Sequence, residues 1–151
     1  MAYLFGLGFL GTQAPYYIDT IVVYLLFLPI LMAFSISLAI RKMYGLHRFI
    51  QTILLVLTLS SLLIFNYEIN GINSIVDKGL YLLVMIEIFF SFVLSVMWVS
   101  LLLFAIEDRR RRGLPGLYSA SHKKSGRRVF IVILLTVLIN LYLYRSIYYV
   151  Q

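Results

Sequence analysis

Between Lys78 and Glu107 the chain carries one charged residue, Glu87, set in the run LVMIEIFFSFVLSVMW. A helix over that interval is about 40 Å long at a rise of ~1.5 Å per residue. Its apolar side chains fall on every face, so no single buried stripe accounts for them. Crossing a hydrocarbon core of ~30 Å takes about 20 helical residues, and this run exceeds that.

Three more runs meet the same length. The spacing predicts spans over 17–40 (with Pro29 inside), 49–67, 80–106 and 129–144. A membrane β-barrel would show alternation in short segments. Here the runs are continuously apolar, which favours helices, because a helix satisfies its own backbone in lipid. The expected fold is all-α, an integral membrane four-helix bundle with both termini outside. Residues 1–16 form an extracytoplasmic N-terminal segment and 17–151 the four-helix domain. The N-terminal stretch MAYLFGLGFLGTQAP lacks the basic region of a cleavable signal, so it is expected to be retained and to lie at the membrane surface.

Composition agrees. Hydrophobic residues make up 62% and charged residues 13%, against ~25% charged in soluble domains. The net charge of +7 would suggest nucleic acid in a soluble protein. Here its placement explains it through topology, and no nucleic-acid partner is expected. The first connection holds Arg41, Lys42 and Arg48. The third, a basic loop over 107–128, holds Arg109, Arg110, Arg111, Arg112, Lys123, Lys124, Arg127 and Arg128. The second has Lys78 and two acids. Eleven cations against one put the first and third connections in the cytoplasm. The dense run Arg109–Arg112 is a stop-transfer signal and also suits anionic lipid headgroups, each cation contributing ~1 kcal/mol near a charged surface.

That orientation sets the depth of the polar residues. Glu87 lies roughly 10 Å below the outer surface. Asp19 opens the first span, Glu68 closes the second and Arg145 ends the fourth, so these four are expected to gather as an intramembrane polar cluster. Ser91 and Ser95 follow Glu87 at i+4 steps and Trp98 three residues later. Thr136 and Asn140 repeat the step on the fourth span. Residues four apart share a helix face, and such stripes turn towards neighbouring helices, since lipid offers no partners. Three readings of Glu87 are open: a packing role, protonated or paired with Arg145 or a serine; contact with a partner subunit; or proton or cation handling with Asp19 and Glu68.

No catalytic constellation is present: no nucleophile elbow, no Gly-rich phosphate loop and no H-E-x-x-H. The absence of cysteine removes thiolate ligands and disulfides. The two histidines, His47 and His122, both fall on the cytoplasmic side. They read either as interfacial side chains or as ligands of a haem or metal. An enzyme is not expected. No inverted repeat supports a transporter.

The segments GFLGTQAP, YGLHRFIQTILLV and FNYEI, with a first span opening near Asp19, resemble a family of small four-helix bacterial membrane proteins of unknown function related to haem-copper oxidase assembly factors (the CtaM type). Phe9, Leu10, Gly11, Thr12, Ala14 and Asp19 fit the family's first element. Leu46, His47 and Gln51 fit the second, and Phe65 and Glu68 the third, with Asn66 where an acid is expected. His122 and Arg128 fit the last loosely. The family's third-span histidine, eleven residues before the tryptophan, is replaced by Glu87. A site that exchanges imidazole for carboxylate loses affinity for borderline metals, which leaves no cofactor as the first expectation and haem as the alternative. The resemblance implies a multi-pass protein of a prokaryotic cytoplasmic membrane. It also implies an accessory subunit or assembly factor, partnered by other membrane subunits of a respiratory complex.

Overall fold

The computed structural model describes residues 8–71, 78–112 and 119–148. They form four helices: α1 (Tyr16–Ile40), α2 (Tyr44–Gly71), α3 (Lys78–Arg112) and α4 (Ser119–Tyr148). Each is long and apolar enough to cross a membrane. Helix α1 packs on α2 and α4, and α3 packs on the same two; among the described residues the backbones of the diagonal pairs keep apart. Three residues connect α1 to α2, a length that turns the second helix antiparallel to the first. The Gln13 amide donates to the Tyr148 carbonyl at 3.4 Å, which brings the end of α4 to the start of α1. The bundle therefore runs up-down-up-down, with one end holding the start of α1 and the end of α4. The opposite end holds Arg41, Lys42, Lys123, Lys124, Arg127 and Arg128, all exposed.

The α1–α2 corner is a Schellman turn. Lys42 takes the left-handed conformation at φ 63°. Its amide donates to Ala39 at 3.0 Å, and the Met43 amide donates to Leu38 at 2.9 Å, so two carbonyls that the ending helix would orphan are satisfied. At the other end of α1 the cap residue is Pro15, which offers no side-chain acceptor. Pro29 lacks a donor inside the helix, a loss that long apolar helices tolerate when neighbours pack around them.

Trp98, Phe65, Ile18, Leu25, Leu28, Leu94, Ile133 and Leu143 fill the centre of the bundle, each essentially inaccessible. Large apolar side chains also cover the outside of all four helices, among them Phe34, Phe49, Phe92 (67% exposed), Phe104 (74% exposed) and Leu138. Polar groups follow the opposite rule: Asp19, Ser35, Gln51, Thr58, Glu87, Ser91, Thr136 and Asn140 are all buried.

The helices overrun the spans expected from hydropathy. Helix α1 agrees to one residue, but α2 begins at Tyr44 rather than 49 and α3 continues to Arg112. The largest correction concerns α4. It starts at Ser119, ten residues before the apolar run, so SASHKKSGRR is helix and not loop. Of the expected loop 107–128, only 113–118 lies outside the described residues. The physical reason is that hydropathy marks where lipid can begin, whereas the helix ends only where its backbone finds other partners. Lys and Arg are good helix formers and extend it.

Candidate functional site

Besides the Tyr24–Thr58 hydroxyl pair that joins α1 to α2 at 2.8 Å, three groups of buried polar side chains divide the interior. At the terminal end, Asp19 sits in the first turn of α1, where the uncapped amides favour a carboxylate. Its Oδ2 accepts from the Leu10 amide at 2.8 Å, and its Oδ1 accepts from the Tyr144 hydroxyl of α4 at 2.5 Å. Thr12 Oγ1 lies 3.4 Å from the same Oδ1 and 2.8 Å from the Tyr144 oxygen. The chain before α1 thus folds back over the bundle and is tied down by one carboxylate. A Cβ on Gly8 would run into that carboxylate, which explains a glycine there. Beside this cap the Tyr17 hydroxyl donates to Glu68.

About 13 Å along α3 from Lys78, at ~1.5 Å per residue, lies Glu87, fully buried. Its Oε1 accepts from Ser91 Oγ at 2.5 Å and from Asn140 Nδ2 of α4 at 3.1 Å. Asn66 of α2 approaches the same carboxyl. Asn140 Nδ2 also donates to the Thr136 carbonyl at 2.9 Å. A carbonyl can only accept, so that bond fixes which way round the amide sits. Three oxygens of this layer are buried without a partner: Glu87 Oε2, Asn140 Oδ1 and Asn66 Oδ1.

Towards the basic end a third chain of bonds crosses three helices. Trp98 Nε1 donates to Gln51 Oε1 at 3.0 Å. Gln51 Nε2 donates to Ser35 Oγ at 3.2 Å, with Met32 Sδ at 3.4 Å. His47 Nδ1 donates to the Ser35 carbonyl at 2.8 Å. Indole donates only, so the Gln51 amide orientation follows from it.

The expected cluster of Asp19, Glu68, Glu87 and Arg145 does not form as one group. Asp19 and Glu68 take separate partners at the terminal end, Glu87 lies deeper with partners of its own, and Arg145 is exposed in the last turn of α4. The Glu87 carboxyl is held by Ser91 and Asn140 instead. Along the anticipated stripes, Asn140 and Trp98 reach across to neighbouring helices, while Ser95 and Thr136 bond back to carbonyls of their own helices at 2.7 and 2.9 Å. His47 on α2 and His122 on α4 belong to diagonal helices, whose backbones keep apart among the described residues. Among the described residues no three of His, Cys, Asp and Glu converge as a metal site. Of the arginine run, Arg110 is exposed; the side chains of Arg109, Arg111 and Arg112 lie outside the described residues.

Ser35 and Tyr144 were not anticipated, and Gln51 and Asn66 were noted only as motif positions. Gln51 is i+4 from His47 on one helix face, and that step was the available signal. Tyr144 looks in sequence like any interfacial tyrosine.

No protein-family model, curated protein or solved structure matches the chain. Function is therefore argued from the geometry of the bundle.

Proposed function

We propose that the chain crosses a prokaryotic cytoplasmic membrane four times, with both termini outside, and serves as a non-catalytic accessory subunit or assembly factor of a larger membrane complex. The observation that supports this is the contrast between inside and outside. The buried polar side chains are spent largely on one another across helix interfaces. The outer faces of all four helices are covered by exposed Phe, Leu, Ile and Val. In a bilayer such faces take lipid or another helix with similar ease, because association there depends on packing and not on hydrophobicity. The resemblance to oxidase assembly factors points to a respiratory complex as partner. The basic end would lie on the cytoplasmic side, where Arg110 and its neighbours meet anionic lipid.

Gentle detergent extraction of native membranes, with the chain carrying an affinity tag, tests this. Co-migration with a larger complex is expected, and migration alone after crosslinking would overturn it. A visible absorption spectrum of the purified chain tests the redox alternative, in which His47 and His122 hold haem. A Soret band would replace the accessory reading with that one.

A further inference from the structure

In the Glu87 layer the groups left without a partner are all acceptors. Glu87 Oε2, Asn140 Oδ1 and Asn66 Oδ1 come from three helices and are buried without a partner. The mismatch is not an amide placed the wrong way round. Turning the Asn140 amide over would set its oxygen against the Thr136 carbonyl and Glu87 Oε1, both acceptors. Leaving one such group unsatisfied is costly, and more so for a charge, so three together call for a positive or donating guest.

We propose that Glu87, Asn140 and Asn66 form an intramembrane binding site for one alkali cation. The donor set is all oxygen, which selects a hard ion. It carries one negative charge, so a monovalent ion leaves the low-dielectric interior neutral, whereas a divalent ion leaves an uncompensated charge. With no imidazole or thiolate among the donors, transition metals have no preferred ligand here. A proton on Oε2 supplies a single donor and still leaves one amide oxygen orphaned. A water supplies two donors against three acceptors. A cation held beside the carboxyl that both amides approach would draw on all three oxygens at once. Ser91 and Asn140 both donate to Oε1, which leaves Oε2 for the guest. This site goes beyond the accessory reading and does not depend on which complex the chain joins.

The test uses the purified full chain in detergent, with N-methyl-D-glucamine chloride exchanged for NaCl or KCl at constant ionic strength and pH. The first readout is the thermal midpoint. The second is the rate at which dicyclohexylcarbodiimide modifies Glu87. At a hundred times half-saturation the midpoint should rise by about 5 °C, and modification should slow about 100-fold with the same half-saturation. Glu87→Gln and Asn140→Leu should each abolish the cation response while helicity by circular dichroism stays unchanged. Should Glu87→Gln not fold, Asn140→Leu and Asn66→Leu carry the comparison. If the reagent does not reach Glu87, the midpoint decides alone. Equal behaviour in sodium, potassium and N-methyl-D-glucamine, a response to pH alone, or a cation response that survives in the variants would overturn the site.

Discussion

Trp98 donates its indole N–H to Gln51 across the α2–α3 interface, at 3.0 Å, and both side chains are buried. Gln51 passes the bond on to Ser35 of α1, whose carbonyl receives His47. Three helices are thereby locked in register near the basic end. The Glu87–Asn140 bond joins α3 to α4 nearer the terminal end. The packing of Leu, Ile and Val between these layers is permissive about rotation and sliding. The polar bonds are not, because a slip of one residue would leave each donor facing hydrocarbon.

Breaking the register bond should be measurable as a coupling. Gln51→Leu, Trp98→Phe and the double variant form a cycle, read by unfolding in mixed micelles. Trp98 is the single tryptophan, so helicity by circular dichroism is the common signal. A coupling energy of ~0.6–1.7 kcal/mol is expected, the range found for interhelical bonds in lipid. Strict additivity would show that the two side chains do not depend on each other.

The segment before α1 should be released by changes at its anchor. Tyr144→Phe removes a donor to the Asp19 carboxylate, a charge-assisted bond of a kind worth ~1.5–3 kcal/mol. Gly8→Ala places a Cβ against that same carboxylate. Both variants should expose residues 8–15 to protease several-fold faster than wild type, with the helices intact. Tyr148→Phe, which leaves the Asp19 bonds in place, is the control and should change nothing in that segment.

The corner between α1 and α2 carries a small strain. Lys42 sits at φ 63°, a region that costs a residue with a Cβ about 1–2 kcal/mol. Glycine relieves this but is itself freer in the unfolded chain. Lys42→Gly is therefore expected to stabilise the bundle by about 0.5–1 kcal/mol and Lys42→Val to destabilise it by more. The check is unfolding in mixed micelles. A loss of stability in the glycine variant would show that the Lys42 side chain matters more than its backbone.

Much of this architecture was legible because apolar runs and helix lengths obey the same arithmetic. The first span, expected over 17–40, is α1 at Tyr16–Ile40. What hydropathy does not encode is where a helix stops outside the apolar run. SASHKKSGRR carries three serines, a glycine and five basic or imidazole side chains, which read as loop, yet it opens α4. The polar layers were half legible. Steps of four found Ser91, Asn140 and Thr136, which share faces within one helix. The partners that complete each layer come from other helices, at separations such as Asp19 to Tyr144, and only folding brings them together. The same limit explains why Asp19, Glu68, Glu87 and Arg145 were expected to meet. Depth in a membrane says which residues share a level, but not which way each helix turns them.

The threading of the chain is open to direct measurement because it has no cysteine of its own, so each introduced thiol reports one site. Gln13 and Gly71 are exposed near the terminal end, and Lys42 and Lys123 near the basic end. The eleven cations on the first and third connections, against Lys78 on the second, predict that the basic end stays in the cytoplasm. A membrane-impermeant maleimide added to intact cells should then label Gln13→Cys and Gly71→Cys, while Lys42→Cys and Lys123→Cys should react only after permeabilisation. Replacing Lys42 removes one cation of eleven and should not by itself invert the chain. Labelling of Lys123→Cys from outside intact cells would invert the assignment. The Asp19 cap and the Glu87 layer would then face the cytoplasmic half of the bilayer, and the arginine run would lose its anionic leaflet.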